Sequence, residues 1–184
     1  MKRFPVFSFG ISNFDDGDCG ELPVQSPRYV EGSPNSDSLE RAQALIDKSN
    51  RPLVVVGADV ATTGATEELM TFVEAIGATV ISNMDARGIF PESHPRCAGV
   101  MVGNYIPNTL EGELDDLCDL VVLVGADSLM THVPWGFNMP AIELVSRPEY
   151  RTTVLEPEVR VDGSLSESLK ALNGSECKGV SIEE

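Results

Sequence analysis

Two short segments at the ends of apolar runs are the residues best placed to do chemistry in this chain. Gly57-Ala58-Asp59 follows the apolar run at 53–56, and Gly125-Ala126-Asp127 follows the run at 120–124. Because glycine lets a ligand approach the backbone closely, each segment could form the floor of a nucleotide or diphosphate site. Each could equally be a tight turn out of a strand. The residues alone leave both interpretations open.

A helix start near Thr63-Gly64-Ala65 offers free backbone N–H groups that could hold a phosphate. The spacing from Gly57 to Gly64 fits neither G-x-G-x-x-G nor the P-loop pattern, so both common phosphate-binding fingerprints are missing. Glu67 and Glu68 in the first helical turn would repel a phosphate placed there. The sequence therefore gives this helix start little support as an anion site.

The remaining candidates are isolated polar side chains on loops. Arg87 could clamp a phosphate or be a solvated cation, and His94 could be a general base or a packing residue. No nucleophile motif accompanies His94, and G-x-S-x-G is absent. His132 and Trp135 could stack on a ring, anchor their loop or contact a partner chain. The acids Asp115, Asp116 and Asp119 are interpreted as a solvated helix end.

Composition narrows the class of protein. The 184 residues carry 29 acids against 13 bases, a formal charge of −16, which argues against binding to nucleic acid or to an anionic membrane. The four cysteines are scattered without a Cys-x-x-Cys motif, which argues against a zinc site or a thioredoxin-like site. No apolar run is long enough for a membrane span. We expect a cytoplasmic protein with reduced thiols.

Periodicity predicts a βαβ unit at 51–82, with a strand at 53–56, a helix that ends at Ile76 before a Gly77 cap, and a strand at 79–82. Three capping-box-like pairs predict further helix starts. Residues 83–107 read as loop-rich. Four helices alternating with five or six strands predict an α/β fold with a doubly wound, mostly parallel sheet. The capping pairs are Asp37 with Glu40, Asn108 with Glu111 and Ser164 with Glu167, and the later strands are at 119–125, 141–145 and 152–155.

The chain divides into three parts. Residues 1–37 are poorly patterned and read as an irregular segment or linker, 38–173 form the domain, and 174–184 are a polar tail.

Residues 38–173 also carry a family resemblance. The loop Gly88-Ile89-Phe90-Pro91-Glu92-Ser93-His94-Pro95 is similar to a Gly-x-Phe-Pro-Glu-x-His-Pro loop. The strand at 119–125 resembles an Ala-Asp-Leu-Val-Leu-x-Val-Gly strand, and Gly99 and Gly103 match a glycine pair. Together these landmarks resemble the central domain of thiamine-diphosphate-dependent enzymes such as acetolactate synthase, oxalyl-CoA decarboxylase and benzoylformate decarboxylase.

That resemblance implies a three-layer, Rossmann-like sheet of six strands, related to the deoxyhypusine synthase-like FAD/NAD-binding fold. It implies that FAD or ADP could bind in this domain, and that thiamine diphosphate and magnesium act only in an assembled enzyme. The Gly-Asp-Gly motif with its downstream Asn is absent, and Gly17-Asp18-Cys19 is a coincidental partial match. The candidate cofactor-binding residues are Gly57, Ala58, Gly64, Asn83, Arg87, Gly88, Gly103, Gly125 and Ala126.

Three functions follow in order of preference. The first is a central domain or small subunit of a thiamine-diphosphate-dependent decarboxylase or carboligase, not catalytic alone, with another enzyme chain or a second copy as partner. The second is a nucleotide-binding or interaction subunit like the epsilon subunit of acetyl-CoA decarbonylase/synthase. The third is an NAD-dependent enzyme, for which the sequence offers no base, nucleophile or ribose-binding carboxylate.

Overall fold

The computed structural model describes residues 32–101, 109–126, 138–147 and 156–174. These residues form one six-stranded sheet in the order β3-β2-β1-β4-β5-β6, and every neighbouring pair is parallel. The predicted three-layer α/β fold is confirmed. The strands are β1 (Pro52–Val56), β2 (Thr79–Ser82), β3 (Cys97–Val100), β4 (Leu120–Val124), β5 (Ala141–Val145) and β6 (Val159–Asp162). The helices are α1 (Ser36–Ile46), α2 (Asp59–Thr62), α3 (Thr66–Ile76), α4 (Leu110–Leu117) and α5 (Leu165–Leu172), with a 3-10 turn at Met84–Ala86.

The central strands are apolar on both sides because helices cover both faces of the sheet. All five residues of β1 and of β4 are buried, as a two-sided parallel sheet requires. On one face α1, α3 and α5 pack through side chains such as Ile46, Phe72 and Leu169. On the other face α4 packs Leu114 and Cys118 against Leu123. Burial raises the pKa of the Cys118 thiol to about 11, so this cysteine is a core residue rather than a nucleophile.

The βαβ prediction holds in detail. Gly77 ends α3 in the left-handed conformation with φ 67°, and its N–H donates to the Val73 carbonyl. Strands β1 and β2 pair directly in parallel, and α3 belongs to the connection between them. The sequence analysis missed α2, the single helical turn that lies between β1 and the predicted helix start near Thr63-Gly64-Ala65.

Two of the predicted helix starts were wrong. The cap of α1 is Asn35, whose side chain accepts from the N–H groups of Asp37 and Ser38, so Asp37 lies inside the helix. The cap of α4 is Thr109, whose hydroxyl accepts from the Gly112 N–H, rather than Asn108, which lies outside the described residues. Ser164 caps α5 as predicted. All three structural caps fit the general preference for Ser, Thr and Asn at this position.

The loop-rich interpretation of 83–107 was also wrong in part, because β3 lies within it. This edge strand is short, contains Gly99 and is only partly buried, so it lacks the apolar run of a central strand. The predicted strand at 152–155 and the irregular segment at 1–31 lie outside the described residues. The last strand described, β6, leads through Gly163 into α5.

Asp119 joins the start of β4 to the turn before β1. Its carboxylate accepts from the Ser49 hydroxyl and from the N–H groups of Asn50 at 2.9 Å and Arg51 at 3.0 Å. Burial opposes ionisation, but the hydrogen bonds from Ser49 and the two N–H groups outweigh it, so the pKa of Asp119 is lowered. The interpretation of Asp119 as part of a solvated helix end was wrong.

Replacing Asp119 by Asn keeps the shape but removes the charge, and the amide nitrogen cannot accept a hydrogen bond as the carboxylate oxygen in its place did. We expect Asp119→Asn to lower the free energy of unfolding by about 1–2 kcal/mol at pH 7, measured by urea denaturation. Because the folded pKa is depressed, this difference is present above the unfolded pKa of about 3.9 and is lost as the pH falls through the folded pKa. Asp116→Asn, an exposed change on α4, is the matched control and should shift stability by no more than about 0.5 kcal/mol. A difference that is independent of pH would contradict this account.

Candidate functional site

The carboxyl edge of the sheet gathers most of the predicted site residues. Parallel strands end at one edge, where open α/β sheets bind ligands. Gly57 donates its N–H to the Val124 carbonyl at 2.9 Å, and the N–H of Asn83 donates to the Val56 carbonyl at 2.9 Å. The ends of β1, β2 and β4 are therefore held side by side, which brings together Gly57, Ala58, Asn83, Gly125 and Ala126.

Gly57 and Gly125 meet each other directly. A Cβ atom added at Gly57 would lie 2.1 Å from the Gly125 carbonyl oxygen and 2.3 Å from the Ala126 Cα. A Cβ atom added at Gly125, where φ is 58°, would lie 2.8 Å from the Asp59 Cβ. The contact between the two strand ends therefore accounts for both glycines without a ligand.

A buried ion pair lies beside this glycine contact. Asp59 and Arg147 form a 2.6 Å bond between Oδ1 and Nη2, with side chains 1% and 8% exposed. The Thr62 hydroxyl donates to Asp59 Oδ1 at 2.8 Å, and the Ser146 hydroxyl donates to the other carboxylate oxygen. The pair thus joins α2, after β1, to the chain after β5, and the Arg147 guanidinium at this edge is already paired with a carboxylate.

Sequence analysis did not identify Ser146 and Arg147. A signal exists, because Asp59 and Arg147 each follow a buried run within three residues of its end. In an all-parallel sheet, residues that directly follow strands lie at the same edge, so an acid and a base in these places are candidates to pair.

Asn83 is a buried polar side chain at this edge that the described residues leave without a hydrogen-bond partner. It is 1% exposed, and neither Oδ1 nor Nδ2 has a hydrogen-bond partner within the described parts of the chain. A buried amide without partners destabilises a fold by roughly 1–3 kcal/mol. Its complementary donor and acceptor are therefore available to a bound group or to ordered water.

The remaining predicted residues lie at the periphery. Gly64 and Gly88 are exposed, with open space where a Cβ would lie. Arg87 is 66% exposed and pairs with Glu92 at 3.2 Å, which favours the interpretation of a solvated loop cation. Gly103, His132 and Trp135 lie outside the described residues.

His94 is a packing residue. Its ring meets Phe90 edge-on with centroids 4.9 Å apart, and Nδ1 accepts from the Arg96 N–H at 3.2 Å. With Nδ1 as acceptor, Nε2 carries the proton and lies 3.4 Å from a carboxylate oxygen of Glu74. The neighbouring Arg96 donates to the Gly77 carbonyl at 2.7 Å. The loop at 88–95, which resembles a loop of the family, and the residues that follow it thus attach the end of α3 to β3. Both ring nitrogens of His94 have structural contacts.

The described residues do not fit thiamine diphosphate with magnesium. Among them, no group of three or more His, Cys, Asp or Glu side chains could hold a metal ion. Asp59, the buried carboxylate that follows β1 at the carboxyl edge, is already paired with Arg147.

None of the helices in the described ranges has the length and apolar content needed to cross a bilayer.

The fold is a Rossmann-like α/β domain, a parallel sheet of six strands with helices on both faces. Most of its candidate binding residues lie at the carboxyl edge of the sheet. Residues 39–172 match the family described as thiamine pyrophosphate enzyme, central domain. The chain belongs to this family.

Two acetolactate synthases are among the relatives of the chain, and a solved structure shares its fold. The chain is 32% identical over 105 residues to a probable acetolactate synthase large subunit of Methanocaldococcus jannaschii, covering 57% of the chain and 17% of that protein. It is 34% identical over 106 residues to the acetolactate synthase large subunit of Corynebacterium glutamicum, covering 58% and 16%. Among solved structures, benzoylformate decarboxylase from Polynucleobacter necessarius has a TM-score of 0.67 at 22% identity, covering 84% of this chain and 30% of that one. The matches thus span about a sixth of each acetolactate synthase.

The Asp59–Arg147 pair generates a prediction about stability. Arg147→Met leaves the Asp59 carboxylate buried without its cation, and we expect a loss of about 3 kcal/mol in the free energy of unfolding, measured by urea denaturation. Asp59→Asn leaves the guanidinium without its anion and should have a similar cost. The double variant should lose less than the sum of the two, because neither charge then remains alone. Strict additivity would contradict direct coupling between the two side chains.

Proposed function

We propose that this chain is the central, structural domain of a thiamine-diphosphate-dependent decarboxylase or carboligase and performs no chemistry by itself. Thiamine diphosphate and magnesium would act in the assembled enzyme, on residues that a companion domain or chain supplies. The names of the two acetolactate synthase relatives support this reaction class.

The observation that carries the proposal is the state of the charged groups at the carboxyl edge. Asp59 and Arg147 neutralise each other inside the protein, with Thr62 and Ser146 bound to the same carboxylate. A general acid, a general base or a metal ligand must be able to reach substrate or ion. Groups held in this way instead stabilise the edge on which companion domains could rest.

We expect the purified chain to bind no thiamine diphosphate in the presence of magnesium, measured by isothermal titration calorimetry, and to release no carbon dioxide from pyruvate or benzoylformate. A full-length member of the family is the positive control for both measurements. Magnesium-dependent binding of the cofactor by the pure chain would overturn the proposal.

The companion can be sought directly. Recovery of the tagged chain from native lysate should bring with it a thiamine-enzyme polypeptide. Recovery of a nickel–iron carbon monoxide dehydrogenase chain instead would favour the interaction subunit like the epsilon subunit of acetyl-CoA decarbonylase/synthase.

A second candidate function, binding of an adenine nucleotide such as ADP or FAD, rests on Asn83. A carboxamide presents one donor and one acceptor side by side, a pattern that matches an adenine edge. The buried position of Asn83 at the carboxyl edge, without a partner among the described residues, favours such a ligand.

Calorimetric titration with ADP or FAD tests this candidate. We expect Asn83→Leu to weaken binding at least tenfold, the loss expected when about 1.4 kcal/mol of hydrogen bonding is removed. Met84→Leu, at the exposed neighbouring position, is the control and should bind as the unaltered chain does. If neither nucleotide binds and Asn83→Leu only raises the free energy of unfolding, the amide is an internal defect and the candidate fails.

A further inference from the structure

A cleft of about 310 Å³ lies between α3 and α5, on the helical layer rather than at the strand ends. Both helices follow strands of the same sheet and pack side by side. The lining is mostly polar, with two carboxylates, one ammonium, one hydroxyl and one carboxamide around a single apolar side chain. The residues are Glu67, Glu68, Thr71, Leu169, Lys170 and Asn173.

Glu68 is only half satisfied in this cleft. Its Oε1 accepts from the Ser166 hydroxyl at 2.8 Å and pairs with Lys170 Nζ at 3.1 Å. Its Oε2 is buried and accepts no hydrogen bond within the described residues. The Ser166 hydrogen bond is the main cause of a lowered pKa for Glu68, because it stabilises the ionised carboxylate.

Asn173 supplies a second unused acceptor in the same cleft. Its Oδ1 is buried and has no hydrogen-bond partner in the part of the chain that the structure describes. It lies on the other wall, at the end of α5, and the Glu67 carboxylate adds a further acceptor at the rim. Lys170 offsets one of the two glutamate charges, so the lining keeps a formal charge of about −1. The cleft therefore holds buried acceptors that its own donors, the Lys170 ammonium among them, leave unused, and its formal charge stays negative.

We propose that this cleft receives an arginine side chain from a companion polypeptide. A guanidinium has five N–H donors in a planar fork, so it can satisfy acceptors on two different helices, which a point-like ammonium does less well. A metal ion fits poorly, because the described residues contain no group of three or more His, Cys, Asp or Glu side chains that could ligate one. A cationic partner also complements a chain of formal charge −16.

A protein source for the arginine fits the matched relatives, because the matches cover only a small part of each. The acetolactate synthase relatives are matched over 17% and 16% of their length, so most of each relative is polypeptide without a counterpart in the matched part of this chain. The origin of the arginine in a companion rests on the proposed function; the chemistry of the cleft does not.

The test titrates the full chain with a blocked Gly-Gly-Arg-Gly-Gly peptide and follows amide chemical shifts by NMR. We expect shifts confined to the helical turns around Glu68 and Asn173, with a dissociation constant on the order of 1 mM for a single side chain. The same peptide with citrulline, neutral and nearly isosteric, should bind at least tenfold more weakly.

Variants locate the site. Glu68→Gln should weaken arginine-peptide binding about tenfold, and Asn173→Leu should weaken it while leaving the Glu68 carboxylate in place. Glu113→Gln makes the same charge change on the exposed side of α4, across the sheet, and should leave binding unchanged. A urea curve for each variant verifies folding.

Equal binding of the citrulline peptide, equal weakening by Glu113→Gln, or no localised shifts would overturn the inference. None of these results bears on turnover or on co-purification, so the cleft and the proposed function can fail separately.

Discussion

The contact between the ends of β1 and β4 is the constraint on which the carboxyl edge depends. A Cβ atom at position 57 would lie 2.1 Å from the Gly125 carbonyl oxygen, so only glycine lets the two strand ends approach this closely. The same carbonyl then accepts the Asp59 N–H at 3.2 Å, which starts α2 against the strand end. This places Asp59 within ion-pair distance of Arg147, so backbone and side-chain contacts within the protein hold the carboxyl edge together.

Much of the fold could be predicted from the sequence because buried strands and amphipathic helices leave a local pattern. The apolar runs of β1 and β4 and the Gly77 cap of α3 needed no knowledge of distant residues. The edge strand β3 was missed because an edge strand needs no continuous apolar run. The caps Asn35 and Thr109 were missed because neighbouring polar residues offered equally good capping pairs.

The site was less predictable, since its chemistry depends on pairing across the sheet. The positions of Gly57, Gly125 and Asn83 were predicted, but not what surrounds them. Asp59 and Ser146 are 87 residues apart in sequence, and no local pattern marks their contact. The buried amide of Asn83 likewise has no sequence signature, because its lack of partners among the described residues depends on tertiary packing. His94 shows the reverse: its residue type suggested catalysis, and its contacts with Phe90 and Arg96 assign it to packing.

The tie between Asp119 and the turn before β1 has a consequence for how the chain is assembled. Ser49 and Asp119 are 70 residues apart, so β1, one of the two central strands, gains β4 as its second neighbour only after the polypeptide has extended well past the first βαβ unit. Until then one long edge of β1 exposes unpaired amides and an apolar surface. Closing such a large loop is slow compared with forming helices. During synthesis on the ribosome, self-association therefore competes most strongly with productive folding while β1 has been made and β4 has not.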